Sequence, residues 1–179
     1  MATKVKKEKT TTVHPGVNIL SQPRVTKVVV SAGVGKKRDD RNYLEAVVRD
    51  LKAITGQQPQ TRHARQAIAG FNVRQGNLVG YRVTLRGRRR DDFIRRLVHL
   101  TLPRVRDFRG IPAKALDGHG NLSLGIAEQL AFPEINADKT DIIFGLEVTL
   151  TTSAQTNEEA IALFRSLGFP MTQNNAKFD

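Results

Sequence analysis

Residues 61–90 contain eight arginines and not one aspartate, glutamate or lysine. The arginines are Arg62, Arg65, Arg74, Arg82, Arg86, Arg88, Arg89 and Arg90, and Gly70, Gly76, Gly80 and Gly87 punctuate the run. Within it, residues 78–86 alternate. Val79, Tyr81, Val83 and Leu85 fall on one side, and Gly80, Arg82, Thr84 and Arg86 on the other. A strand sends successive side chains to opposite faces. One face therefore suits a core, while the other presents guanidinium and hydroxyl donors. The planar fork of arginine matches phosphate and stacks on bases. As a merely solvated face this charge would repel itself for nothing, so a polyanion is the better neighbour.

Charge over the whole chain points the same way, unevenly. The net charge is +12, but residues 1–110 hold 25 Lys and Arg against 8 Asp and Glu, whereas residues 111–179 hold 4 against 9. Two partner surfaces are implied, one strongly basic and one mildly acidic. A chain of 179 residues is long enough for one domain with a real core. It has no cysteine, which excludes disulfides, thiolate zinc sites and cysteine nucleophiles and fits a reducing cytoplasm. Apolar runs are too short to span a membrane, and the lysines near the N-terminus precede no apolar stretch of a secretory signal.

Residues 1–12 read as a lysine-threonine tail, disordered alone, either solvated or threading into RNA. The whole basic tail is placed at 1–22, the domain at 23–170, and a frayed end at 171–179. His14-Pro15-Gly16 reads as a turn, and a first strand follows over 24–32, rich in valine. Gly33-Val34-Gly35 invites a nucleotide-loop reading. A dinucleotide fingerprint, however, needs glycine where Arg38 stands, and a Walker loop needs Ser or Thr where Lys37 stands. A tight glycine turn with a basic edge remains.

Leu44, Val47, Val48, Leu51 and Ile54 recur at helical steps, so a helix runs from Asp40 or Arg41 to Thr55. Asp39 and Asp40 suit its N-terminal end, and Gly56 stops it. A short strand is expected near 60–64. Residues 67–76 form a mobile loop whose tip holds Phe71. That ring either faces out, to stack on a base or meet a backbone, or tucks inward in a plain hairpin. After the strand at 78–86, Gly87 and Arg88-Arg89-Arg90 turn into a helix over 91–101, with Asp91 and Asp92 at its N-terminus and Pro103 ending it. Loops lead to a short strand at 121–126; residues 128–132 read as strand or helix. A further strand spans 142–152. The last helix opens with a capping box, Thr156 and Glu159, and stops at Gly168 and Pro170.

This order makes an α+β fold: a split βαβ (ferredoxin-like, RRM-like) antiparallel sheet with helices on one face, an open basic face and a C-terminal helix. No catalytic set accompanies it. His14, His63, His99 and His119 have no metal-ligand spacing, and no serine sits in a nucleophile elbow. His119, with Asp117 nearby, is the one conceivable acid–base group, and a loop histidine meeting phosphate or solvent is the simpler account. No catalytic residue, cofactor or metal is assigned. An RNA-processing enzyme and a free regulatory RNA-binding module are the competing readings.

Several motifs occur in a family-like order: Gly33-Val34-Gly35, Ala69-Gly70-Phe71, Val83-Thr84-Leu85-Arg86-Gly87, the run from Leu102 through Asp107-Phe108-Arg109-Gly110, Asp117-Gly118-His119-Gly120-Asn121 and Phe132-Pro133-Glu134-Ile135. Over residues 23–170 the chain resembles the bacterial-type large-subunit ribosomal protein L-five family, the one that binds 5S rRNA.

The resemblance implies a structural, non-catalytic constituent of the large ribosomal subunit in the cytoplasm. It implies contact with 5S rRNA and large-subunit rRNA in the central protuberance, beside other central-protuberance proteins. Carried over, the 5S rRNA positions fall on Ser31, Gln57 and Thr84, and the basic strand reading adds Arg62, Arg82 and Arg86. The loop that meets P-site tRNA falls on residues 65–76, with Arg65, Ala69, Gly70, Phe71, Asn72 and Arg74. An intersubunit bridge to a small-subunit head ribosomal protein is placed around 111–118 and 134–143. Two departures stand out. The family typically has Asn where this chain has Ser31, and it begins with an amphipathic helix where this chain has its short tail.

Overall fold

The computed structural model describes residues 22–137, 140 and 142–172. The tail read at 1–22 thus lies, except for Gln22, outside the described residues, as does the His14 turn. Five strands form one antiparallel sheet: β1 (Val25–Gly33), β2 (Gln60–His63), β3 (Leu78–Leu85), β4 (Leu122–Ile126) and β5 (Leu146–Thr152), in the order β2-β3-β1-β5-β4. Three helices accompany them: α1 (Arg41–Thr55), α2 (Gly87–Arg96) and α3 (Asn157–Ser166). The split βαβ pattern is complete in β2-β3-β1-β5, and β4 is an added edge strand.

One face of the sheet is the core. Leu85, Val28, Leu150 and Leu122 form one cross-strand row, and Val83, Val30, Val148 and Leu124 the next. All eight are buried. Tyr43, Val47, Leu51 and Ile54 of α1 and Phe93 and Ile94 of α2 join the same cluster. Burying such side chains contributes roughly 1.5–3 kcal/mol each, which makes this face the reason the sheet forms at all. The Asp40 side chain caps α1 by accepting from the Tyr43 amide, and Gly56 ends it in the left-handed conformation at φ 66°. Thr156 caps α3 by accepting from the Glu159 amide.

Three expectations need correction. The second helix begins at Gly87, not near 91, so Arg88, Arg89 and Arg90 occupy its first turn and Asp91 and Asp92 follow them. A tertiary contact overrides the dipole preference. The Arg90 guanidinium donates to the Val25 carbonyl at 2.6 Å and pairs with Asp91, pinning the first turn to β1. Beyond Arg96 the chain continues as a π-helical turn, Leu97–Thr101, and Pro103 lies inside a short 3-10 turn rather than at a stop.

The strand expected from residue 142 starts only at Leu146. Before it, the buried side chain of Gln129 takes the place of a neighbouring strand. Its amide donates to the Ile142 carbonyl at 2.6 Å and its oxygen accepts from the Phe144 amide at 2.9 Å. Residues 128–132, open between strand and helix, hold a single 3-10 turn, Gln129–Ala131. Finally, of the end read as frayed over 171–179, residues 173–179 lie outside the described residues, whereas Met171 and Thr172 are held in place. The Ile111 amide donates to Pro170 and the Thr172 amide to Ile111, docking this segment parallel to residue 111.

Candidate nucleic-acid interface

The second face of the sheet carries the side chains that alternate with those of the core, and the register assigns them row by row. The central row runs Gln60, Arg82, Ser31, Glu147, Gly125 across all five strands. Thr84, Val29, Thr149 and Ser123 form the next row, toward the C-terminal end of β3. On the other side lie Arg62, Gly80 and Gly33. Thr84, Gln60, Glu147 and Ser123 are exposed, while Arg62, Arg82 and Ser31 are partly covered.

Arg82 is placed as a donor in waiting. Its Nε is buried and has no hydrogen-bond partner among the described residues. A buried donor left unpaired costs about 1–3 kcal/mol, a cost that a side-chain rotation exposing Nε to an outside acceptor would remove. Ser31 leans the other way, its hydroxyl 3.5 Å from a carboxylate oxygen of Glu147. The face therefore grades from guanidinium on β2 and β3 to hydroxyl and carboxylate on β5 and β4.

Gly80 and Gly33 make the row beside Arg62 bare backbone. A Cβ on Gly80 would stand 2.7 Å from the Ala32 carbonyl oxygen, so no side chain fits there. Such a flat strip admits close approach of a ligand to the strands.

Arg86 lies one residue beyond β3, extended, immediately before α2. Gln57 is not on a strand. It lies half-buried in the connection from α1 to β2, its amide donating to the Thr55 hydroxyl at 3.4 Å. The antiparallel register brings that connection to the end of β3 that carries Thr84.

The connection between β2 and β3 leaves the opposite end of the sheet and is a closed hairpin of its own. The Ile68 amide donates to Val73 at 2.8 Å and the Val73 amide to Ile68 at 3.2 Å. Ala69–Phe71 form a single turn, which Asn72 closes in the left-handed conformation at φ 52°. Phe71 faces out, 77% exposed, so the tucked alternative is not the one adopted. Arg65 and Arg74 are exposed on either flank, while at the base the Gly76 amide donates to Ala64 and the Ala64 amide to Asn77.

In the loop around His119, the Asp117 carboxylate serves the turn, accepting from the backbone amides of His119 and Asn121 at 2.9 and 3.0 Å and from the Asn121 side chain at 2.6 Å. Burial raises the Asp117 pKa, but these hydrogen bonds and the nearby His119 outweigh it, and the carboxyl lies below its ordinary value. Among the described residues no group of three His, Asp or Glu is placed to hold a metal. No described helix is long and apolar enough to cross a membrane.

Comparison with known proteins decides the family. Residues 18–74 match the family described as Ribosomal protein L5, and residues 78–171, more than half of the chain, match the C-terminus of the same ribosomal family. The chain belongs to the ribosomal protein L5 family. A relative from Syntrophomonas wolfei, called large ribosomal subunit protein uL5, is 52% identical over 153 residues, 86% of each chain. Relatives of the same name from Halothermothrix orenii and Psychrobacter arcticus are 47% and 48% identical, covering 87% and 86% of each chain. An L5-family protein is a structural component of the ribosome and not an enzyme.

The strand periodicity of this L5-family chain puts Arg82 and Thr84 on one face, and the structure adds Ser31, Gln60 and Glu147 to it. The signal for Glu147 is present in the alternation of β5. Its place beside Ser31 depends on the β1–β5 register, which no local pattern carries. Arg90, one of the arginines of the 61–90 run, is consumed by the fold.

Proposed function

We propose that this chain, a protein of the large ribosomal subunit, binds 5S rRNA through the open face of its sheet. Arg62, Arg82 and Arg86 neutralise phosphates, while Ser31, Thr84 and Gln57 fix register with hydrogen bonds. The observation that carries this reading is the central row. An arginine with an unpaired buried Nε lies beside a hydroxyl, on the face opposite the one that α1 and α2 pack against. The 65–76 hairpin, at the other end of β3, is the surface for P-site tRNA, with Phe71 and the flanking Arg65 and Arg74 as its contacts. Residues 111–118 and the described part of 134–143 supply the bridge to a small-subunit head protein. Large-subunit rRNA and other proteins of the central protuberance complete the surroundings, on cytoplasmic ribosomes.

A salt titration of the full chain with 5S rRNA, in the presence of tRNA and an unrelated hairpin as competitors, tests the reading. Tight binding that survives both competitors and weakens steeply with salt supports it. Equal binding of all three RNAs overturns it, leaving only a charged surface.

A further inference from the structure

Arg38 reaches across 34 positions of sequence to the tip of the β2–β3 hairpin, where its Nη1 donates to the Asn72 carbonyl at 3.0 Å. The base of that side chain is firmly held. It follows a single turn, Gly35–Lys37, whose preceding residue Val34 is buried and donates its amide to Val79 at 3.0 Å. Lys37 lies over the Tyr43 ring at 4.9 Å, and Asp40 caps α1. Arg38 therefore springs from a segment fixed to the sheet on one side and to α1 on the other. Its side chain is 26% exposed, and Asp39 offers only a loose counter-charge at 3.8 Å.

The acceptor is equally specific. Asn72 sits in the left-handed region, which aims the peptide after Phe71 differently from an extended chain. The latched carbonyl is one residue from the exposed Phe71 and two from Arg74. Without this bond, the tip would be held, among the described residues, by the hairpin's own hydrogen bonds: His63 and Ala64 with residues 76 and 77, Arg74 with Asn77, and the turn from Ile68 to Val73. Between the hairpin and the turn lies a cleft of about 740 Å³, with Arg38 and Arg74 among its walls, so the two segments do not pack tightly enough to substitute for the latch.

We propose that Arg38 is a positioning residue: its hydrogen bond to the Asn72 carbonyl fixes the tip of the β2–β3 hairpin and sets the pose in which Phe71 and Arg74 meet a tRNA. This rests on the reading of the hairpin as a tRNA surface. A preset tip avoids the ordering cost that a free loop would meet on binding.

The test uses the full chain and three variants. Arg38→Ala removes the latch, Arg38→Lys keeps both charge and a donor, and Lys36→Ala removes one exposed positive charge nearby while leaving the latch. Amide hydrogen exchange in the free protein reads the latch without RNA. The Asn72 and Val73 amides are expected to exchange several-fold faster in Arg38→Ala alone. Affinity for tRNA is expected to fall about fivefold in that variant, with 5S rRNA affinity within about twofold of the parent. Recovery of slow exchange and of tRNA affinity in Arg38→Lys supports the proposal. Unchanged exchange in Arg38→Ala overturns it, as does an equal loss of tRNA affinity in Lys36→Ala, which would make the effect one of charge. A parent chain that binds 5S rRNA but no tRNA overturns the tRNA reading instead, and the exchange comparison still decides whether Arg38 fixes the tip.

Discussion

Ser31 on β1 stands directly across from Arg82 on β3, and on its other flank it faces Glu147 on β5. The serine thus separates a guanidinium from a carboxylate in one row. Among the described residues Arg82 forms no ion pair, and its charge remains available to an RNA phosphate.

Replacing that guanidinium should affect binding and spare the fold. Arg82→Ala is expected to reduce the slope of log affinity for 5S rRNA against log salt by about 1, as loss of one phosphate contact does. Its thermal unfolding should match the parent, because the side chain lies on the open face and its Nε has no hydrogen-bond partner among the described residues. Filter binding at several salt concentrations, with a melting curve, checks both. An unchanged slope would place Arg82 outside the RNA contact.

The neighbouring bare strip makes a stability prediction. In Gly80→Ala the new methyl would meet the Ala32 carbonyl oxygen at 2.7 Å, and β1 and β3 would have to move apart. Crowding of this kind costs about 1–3 kcal/mol, lowering the melting temperature by several degrees. Gly33→Ala, facing the same row with open space around its would-be Cβ, should cost much less. Differential scanning calorimetry of the two variants separates these outcomes.

Asp117 predicts a pH dependence with a definite sign. Its carboxyl titrates below the ordinary value in the folded chain. The ionised form is therefore favoured by folding, and this contribution is complete above the unfolded carboxyl value of about 3.9. It is lost as pH falls through the lower folded value. Asp117→Asn keeps one acceptor for the His119 and Asn121 amides but turns an NH2 toward the Asn121 NH2. The variant should be less stable than the parent at neutral pH and converge with it in strong acid. The gap is modest because solvent screens this exposed loop. Urea unfolding across the acid range measures it.

Which of these features could be read from the sequence follows from how far apart their parts lie. The α1 face from Leu44 to Ile54 and the alternation through β3 are local periodicities, and both elements appear where their patterns put them. The start of α2 is misleading in the sequence because two carboxylates look like a helix N-terminus, while the contact that sets it, Arg90 to Val25, spans 65 positions. The interface divides the same way. Arg82 and Thr84 share a face by strand geometry alone, but Ser31 and Glu147 join them only through pairings with β1 and β5. The bond from Arg38 to Asn72 has no sequence signature, since each residue alone reads as a loop polar group.

Gln129 offers the sharpest test of the fold on the far side of the sheet. Its side chain is completely buried and takes the place of a strand for residues 142–144, bonding the Ile142 carbonyl and the Phe144 amide. Gln129→Leu fills similar space yet leaves both backbone groups without that partner. An unpaired buried polar group costs about 1–3 kcal/mol, so the pair predicts a loss of roughly 2–6 kcal/mol in urea unfolding. Gln129→Glu retains an oxygen for the Phe144 amide but puts a carboxylate against the Ile142 carbonyl, and should be no better at neutral pH. Because Phe144 and Phe132 belong to the core that also holds Phe93 of α2, the damage should spread to α2 and be visible as faster amide exchange there. The Arg82–Ser31 row, on the other face, should keep its affinity for 5S rRNA under conditions where the variant remains folded. Loss of RNA binding by a folded Gln129→Leu protein would show that the two faces of the sheet are coupled rather than independent.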